Sequence, residues 1–452
     1  MTPRVAIVGA GPAGAFAASM LLSRTGPEVD LFERLPTPWG LLRGGVAPDH
    51  HEIKRLDQLF DRQVFRRPRC RFFGNVEVGT DLSHADLMSH YTAVVYAVGA
   101  QTDKSLGIPG EDLPGSLPAT DFVGWYNGHP DRRELDPDLS GKRAVIIGNG
   151  NVAADVARML TLGADELQAT DTADHALEAL RESAVEEVVV LGRRGPAQAA
   201  FTSAELRELG HLEGVELVVD PTEAELDQVS EEWLAEEGTF TARKNLELLR
   251  EFAGREQQGT AGRRIILRFL RSPVEILGED RVEGVRIQAN RIARDGSGAL
   301  RARAVEGETE DIECSLVLRS VGYQAVPLPD VPFDERRYVL PNEQGRVVDA
   351  GSGEQLPGVY AVGWIKRGPT GILGTNKRDA AETIACLEED LAAGMLETPP
   401  ETIDALLAEK APGAIGLDGW RAIDELEQQR GRDADRPRVK LSSREELLAA
   451  AE

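Results

Sequence analysis

Apolar residues fall along this chain in short unbroken runs, several closed by glycine and followed by helical spacing, the pattern of buried parallel strands alternating with helices. The first run, Arg4 to Val8, enters a turn at Gly9, Gly11 and Gly14, with a helix starting near Pro12. A second, Val29 to Phe32, ends in Glu33, and a third, Tyr91 to Val98, ends at Gly99. Pro and Gly are so dense from Leu35 to Lys54 that a loop is expected there. A helix from about Glu52 to Phe65 and short strands at Arg71–Phe73 and Val76–Val78 follow. The opening pattern then recurs: Lys142 to Ile147 is a strand, Gly148, Gly150 and Ala153 form the turn, and Asn151 and Val152 lead the helix.

Such a turn is a phosphate cradle. The first glycine allows the tight bend, the second lets backbone N–H groups approach a pyrophosphate, and the third lets helix and strand pack closely. The helix start adds unpaired donors and about half a positive charge. Glu33 follows the first turn at the distance where a carboxylate accepts hydrogen bonds from an adenosine ribose. Val5 to Leu22 carries no charge and superficially resembles a secretory signal, but such a core would not place Gly9, Gly11, Pro12 and Gly14 in its middle. Two turns, each between a strand and a helix, imply two dinucleotide sites.

After the second turn the sign changes. The strand Glu187 to Leu191 leads into Gly192-Arg193-Arg194, reached through an extra helical segment from about Asp165 to Ser183. Two guanidiniums can bind a ribose 2′-phosphate through charge-assisted bonds worth about 1.5–3 kcal/mol each, where a carboxylate would repel it. Pairing with surface carboxylates is the alternative. Thr202 or Ser203 is placed to cap a helix bearing Glu205 and Glu208.

Gly107 to Gly115 reads as a linker, and Arg243 to Arg271 is locally basic, with Arg243 and Glu247, and Glu251 and Arg255, at i,i+4 spacing. Leu316 to Tyr323 is a strand ending in glycine and marks the return to the first domain. Gly358 to Asn376 gives another strand, a glycine-rich turn and a helix from near Thr375. The charged tail from Thr398 is expected to be largely helical and shows no chemistry.

Composition narrows the partners. The 452 residues suffice for two domains, and a formal charge of -25 disfavours nucleic acid and anionic membranes. Cys70, Cys314 and Cys386 are too scattered for a redox pair, a zinc site or an iron-sulfur ligand set, so reduced thiols in a cytoplasmic protein and no metal are expected.

Across nearly its whole length the chain resembles the adrenodoxin-reductase-like ferredoxin:NADP reductases. The resemblance rests on GAGPAG, LPTPWGLLRGGVAPDH, YAVGA, IPGEDLPG, GNGNVAADVAR, GRRGPAQAAFT, RSVGY and GWIKRGPTGILGTN. It implies an α/β protein of two Rossmann-like, three-layer domains, with an NADP domain (107–322) inserted into an FAD domain (1–106 and 323–452). The implied FAD contacts are Gly9, Gly11, Pro12, Ala13, Gly14, Glu33, Leu41, Val78, Trp364, Gly371, Ile372 and Leu373. The implied NADP(H) contacts are Asn149, Gly150, Asn151, Val152, Arg193, Arg194 and Glu205, with Lys104 at the nicotinamide nucleotide and Gly371 touching both cofactors. His50 matches an active-site histidine and Glu208 the acid paired with it, with His51 as the alternative imidazole. Some relatives carry alanine at Gly14, and the fold is expected to accept either. The implied activity is hydride transfer from NADPH to the flavin, then single electrons to a separate acidic iron-sulfur ferredoxin, docked near Arg243 and Lys244. A flavin monooxygenase and a non-catalytic FAD/NADP sensor are the alternatives.

Overall fold

The computed structural model describes residues 1–23, 26–256, 262–371 and 373–452. They divide into two compact units, residues 1–102, 127–133 and 322–452 in one and 103–126 and 134–321 in the other.

The first unit is built on a seven-stranded sheet in the order Asn342–Glu343, Arg346–Val348, Gln355–Ala361, Ala93–Tyr96, Arg4–Val8, Glu28–Glu33, Cys70–Gly74. Arg4–Val8 pairs in parallel with Glu28–Glu33 on one side and Ala93–Tyr96 on the other. Its residues alternate between two cores, as the period of two requires. Val5 and Ile7 pack with Ala17, Leu21 and Phe60 on the helical face, while Ala6 and Val8 pack with Phe32, Tyr91, Val94 and Leu340 on the other.

The second unit has a six-stranded parallel sheet, ordered Ser116–Pro118, Leu316–Arg319, Arg143–Ile147, Glu187–Gly192, Arg263–Phe269, Val215–Val219. Ala144, Ile146, Val188 and Val190 face helices. Val145, Ile147, Val189 and Leu191 face an antiparallel ribbon of Arg271–Leu277, Gly284–Arg294 and Leu300–Glu313, through Ile276, Val285 and Ile287. Each fully buried aliphatic side chain there stabilises by about 1.5–3 kcal/mol relative to exposure.

Several local expectations are corrected. The proline-rich loop contains two short helices, Leu41–Gly44 and His51–Lys54. The helix expected to Phe65 is broken into His51–Lys54, Leu56–Phe60 and a short π-helix at Asp61–Phe65. Val76–Val78 forms no strand, only an isolated bridge from Val78 to Leu82. The segment before Glu187 is two helices, Ala164–Gln168 and Asp174–Arg181, and the helix near Thr375 starts at Leu373. Gly107 to Gly115 is a packed turn: Glu111 accepts from Leu106 N, Gly107 N and Ser105 Oγ, while Arg319 holds the Glu111 carbonyl at 2.6 Å.

The two units also depart from the expected boundaries at residues 103–106, 127–133 and 322. Asn127–Arg133 groups with the first unit because Asn127 Oδ1 accepts from Lys54 and Lys440, both at 3.1 Å, and Asp131 pairs with Arg34. The tail supplies the anchor. Glu427 on helix Leu417–Asp433 is fully buried, with its carboxylate held by both Nη atoms of Arg43 at 2.8 and 2.5 Å, by Arg438 Nη1 at 3.1 Å and by Leu441 N at 2.8 Å. Burial works to raise its pKa, but the Arg43 and Arg438 charges and these bonds outweigh it and hold the group below the usual glutamate range.

A lowered folded pKa means that the stabilisation is complete above the unfolded value, about 4.3, and is lost as pH falls through the folded one. Glu427→Gln should therefore cost about 3–5 kcal/mol at pH 7, chiefly by leaving the buried Arg43 guanidinium without a carboxylate, since Arg438 keeps Asp424 and Asp57. In urea unfolding, the gap from wild type should narrow steadily as pH is taken below about 4. A gap independent of pH would mean that the charge contributes nothing.

Candidate functional site

In the first unit the strand Arg4–Val8 ends at Gly9, whose φ is +105° and whose N–H donates to Phe32 O at 2.8 Å. A Cβ there would lie 2.6 Å from Ala97 O, so only glycine fits. Gly11 then precedes the helix Pro12–Leu22 with ordinary φ and no side-chain cap. A Cβ on Gly11 would meet only Gly40 Cα, at 3.8 Å, so the space before the helix donors stays open. Ala13 is buried, and Pro12 starts the helix with no N–H of its own.

Gly14 corrects an expectation. A Cβ there would stand 2.1 Å from Gly9 O and 3.2 Å from an Ile7 methyl, so alanine requires the turn to shift. In the second unit, Ala153 is accommodated, fully buried, at the equivalent position.

The Glu33 carboxylate is aimed by its own backbone, accepting from Ala10 N at 3.0 Å and Leu35 N at 3.2 Å. Burial pushes its carboxyl up, against these two bonds. An ionised carboxylate has lone pairs to spare beyond two bonds. Trp39 N donates to Ala10 O, fastening the proline-rich segment beside the turn, and Leu41 begins the short helix that follows. Val78 is buried, and Trp364 packs against Tyr323 with ring centroids 4.9 Å apart.

The turn from Gly363 to Gly371 is held by Asp379, which accepts from Gly363 N, from Lys366 Nζ at 3.0 Å and from Arg367 Nη1 at 2.9 Å. Leu373 starts the 20-residue helix Leu373–Ala392, with no acid in its first turn. Ile372 lies outside the described residues. His50 is half-buried at the cap position of His51–Lys54, with its N–H on Ala47 O, whereas His51 is exposed.

The second unit repeats the turn. Gly148 has φ +120°, and a Cβ would lie 2.1 Å from Ser320 O; Gly150, with φ -97°, has open space where a Cβ would be. The helix Asn151–Thr161 has neither a side-chain cap nor an acid in its first turn. Asn149 Nδ2 is buried without a hydrogen-bond partner among the described residues. The segment after Glu187–Gly192 wraps this turn: Ala200 N donates to Asn149 O, and Thr202 N to Asn151 Oδ1 at 2.8 Å. Val152 packs on the helical core.

Arg193 and Arg194 are exposed, and among the described residues neither has a carboxylate partner. Burial and then the neighbouring Arg193 charge depress the Arg194 pKa. Thr202 caps the helix Ser203–Leu209 through Glu205 N. On that helix Glu205 and Glu208 both meet Arg158, at 2.7 and 3.2 Å. Arg158 is 1% exposed and also binds Asp155 at 2.8 Å. Sequence reading passed over Arg158, although its spacing of three from Asp155 was a signal. Lys104 is exposed.

The open helix starts, the orphaned Asn149 amide, the aimed Glu33 carboxylate and the unpaired arginines fit two dinucleotides, one per unit. The thiols fit no disulfide chemistry: all three cysteines are free, with Cys70 and Cys314 pushed up to about 12 by burial. In the basic stretch Lys244, not Arg243, pairs with Glu247, at 2.9 Å, and Arg243 donates to the carbonyls of Ala235 and Gly238. Arg255 does pair with Glu251. Arg264 pairs with Glu187, and Arg268 and Arg271 with Glu223.

Residues 3–192 match the family model described as "Pyridine nucleotide-disulphide oxidoreductase". The chain is 49% identical over 458 aligned residues to NADPH-ferredoxin reductase FprA of Mycobacterium tuberculosis, covering 98% of each chain. It is 43% identical to the mitochondrial NADPH:adrenodoxin oxidoreductase of Salvelinus fontinalis, covering 100% of this chain and 91% of that protein. Among solved structures, Mycobacterium tuberculosis FprA in complex with NADPH superposes with a TM-score of 0.92 at 47% identity, covering all of both chains.

Proposed function

Because this chain belongs to the adrenodoxin-reductase-like ferredoxin:NADP reductase family, we propose that it is a ferredoxin-NADP(+) reductase that passes reducing equivalents from NADPH through bound FAD to a ferredoxin-type protein. The observation that carries this reading is the change of sign between two like turns. The first is followed by the aimed carboxylate of Glu33, suited to a plain ribose, and the second by the unpaired cations Arg193 and Arg194, suited to a 2′-phosphate.

The FAD-binding residues on this reading are Gly9, Gly11, Pro12, Ala13, Gly14, Glu33, Leu41, Val78, Trp364, Gly371, Ile372 and Leu373. Those for NADP(H) are Lys104, Asn149, Gly150, Asn151, Val152, Arg193, Arg194 and Glu205. The FAD and NADP domains are taken as 1–106 with 323–452, and 107–322. Bound FAD supplies the conversion of a two-electron donor into a one-electron one. The chain supplies donors and field: helix Pro12–Leu22 presents N–H groups to a pyrophosphate, and helix Leu373–Ala392 presents its positive end at the Gly371 turn. Arg158 fixes the carboxylates of Glu205 and Glu208. His50 and Glu208 are assigned as the catalytic residues that tune the site, and the acidic iron-sulfur partner is assigned to the face bearing Arg243 and Lys244.

No helix among the described residues is long and apolar enough to cross a membrane. The free, high-pKa thiols support a reducing, cytoplasmic setting.

Purified protein should turn over NADPH with iron-sulfur proteins as acceptors and strongly prefer it to NADH. Arg193→Ala with Arg194→Ala should cut that preference by about two orders of magnitude, as the loss of charge-assisted bonds implies. NADPH oxidation coupled only to hydroxylation of an organic substrate, or no turnover with any acceptor, would sink the reading.

Stopped-flow reduction of His50→Gln should show a slower step with an altered pH profile, and an unchanged rate across pH would leave the histidine a structural role. In steady-state reduction of a ferredoxin, charge reversal at Arg243 and Lys244 should weaken turnover and flatten its salt dependence. Unchanged turnover and salt slope would place docking elsewhere.

A further inference from the structure

The backbone carrying Arg193 and Arg194 is held from the antiparallel ribbon. Asn290 Nδ2 donates to Arg193 O at 3.0 Å, and Leu270 N donates to Arg194 O at 3.1 Å. Asn290 N closes the loop by donating to Leu270 O at 2.8 Å, and Asn290 Nδ2 also reaches Ser272 Oγ at 2.7 Å. Asn290 is 8% exposed.

Two irregularities converge on this point. Leu270 has φ +55°, a left-handed backbone that is unfavourable without glycine. The pairing of Gly284–Arg294 with Leu300–Glu313 jumps from Gln288↔Thr309 to Asn290↔Ala304, passing over Ala289 on one strand and 305–308 on the other. Breaks of this kind re-aim a side chain, and here the side chain at the break is the one that grips Arg193.

We propose that Asn290 is a specificity-positioning residue for the 2′-phosphate of the pyridine nucleotide, acting by fixing the main chain from which the Arg193 and Arg194 guanidiniums extend. The proposal rests on the reading of those arginines given above. Two adjacent like charges on a free loop would splay apart, and a phosphate would have to order both. Pinning both carbonyls removes part of that ordering cost before the ligand arrives. The benefit goes only to a nucleotide that carries the 2′-phosphate, since one without it has nothing for either guanidinium to hold.

The test uses the full chain with its flavin. Asn290→Leu keeps the volume and removes the donors; Ser272→Ala removes the partner that orients the amide and keeps the proposal falsifiable if the first variant does not fold. Calorimetric titration with 2′,5′-ADP and 5′-AMP reads binding without turnover, and steady-state kinetics with NADPH and NADH and an artificial acceptor read the rest. Asn290→Leu should weaken 2′,5′-ADP and raise KM for NADPH by about five- to tenfold, the scale of one net hydrogen bond, with 5′-AMP, KM for NADH and kcat unchanged. Ser272→Ala should move the same quantities the same way by less.

Equal losses for phosphorylated and unphosphorylated ligands in folded variants, or no loss for either, would overturn the positioning role. The Arg193→Ala, Arg194→Ala double variant, titrated alongside, separates the two layers. If it too leaves 2′,5′-ADP binding intact, the arginine reading itself fails, whereas its loss beside an unaffected Asn290→Leu removes only the role of Asn290.

Discussion

A backbone carbonyl pressed against a glycine that has no side chain fixes each unit at its functional end. Ala97 O occupies the place beside Gly9, and Ser320 O the place beside Gly148, at 2.6 and 2.1 Å from where a Cβ would be. Each carbonyl belongs to the residue just past a neighbouring strand, Ala93–Tyr96 or Leu316–Arg319. The contact therefore ties a turn to the adjacent strand and forces the chain up into its helix. In both sheets the strand that leads into the turn, Arg4–Val8 or Arg143–Ile147, has a strand on either side, the arrangement that opens the crevice where open α/β sheets take their ligands. Donors, charge and aim follow from that placement.

What the sequence made legible were features written locally. Strands such as Arg4–Val8 and Arg143–Ile147 are unbroken apolar runs because both of their faces are buried, and the glycines that end them have no other physical use. The sign change from Glu33 to Arg193 and Arg194 could be read because it depends on residue type and order alone. The neighbours of those residues could not. Glu33 is aimed by Ala10 and Leu35, and the arginine segment by Asn290, almost a hundred residues on.

The misreadings have the same origin. Proline density hid the helices Leu41–Gly44 and His51–Lys54, and β-branched residues suggested a strand at Val76–Val78, where no partner lies alongside for more than one bridge. The run of cations between Arg243 and Arg271 read equally as a basic face or as helix-paired charges, and Arg264, Arg268 and Arg271 are committed to Glu187 and Glu223, partners from outside the run. Glu427 looked like one more charge on a solvated tail. Its complete burial against Arg43 and Arg438 is decided by tertiary packing, and it makes the tail part of the support for the segment beside the first turn. Gly14 looked interchangeable with alanine because some relatives carry it, but a Cβ there would stand 2.1 Å from Gly9 O.

The central claim is that each turn serves a different dinucleotide through space that its second glycine leaves open. Gly150 has ordinary φ and no neighbour within 4 Å of a Cβ, so Gly150→Ala should leave the fold intact and fill only the approach to helix Asn151–Thr161. The direct measurement is flavin content and NADP+ affinity of that variant, by absorbance and calorimetry. The account predicts one FAD per chain, unchanged, with NADP+ binding weakened about tenfold or more. Loss of flavin, or undiminished NADP+ affinity, would contradict it.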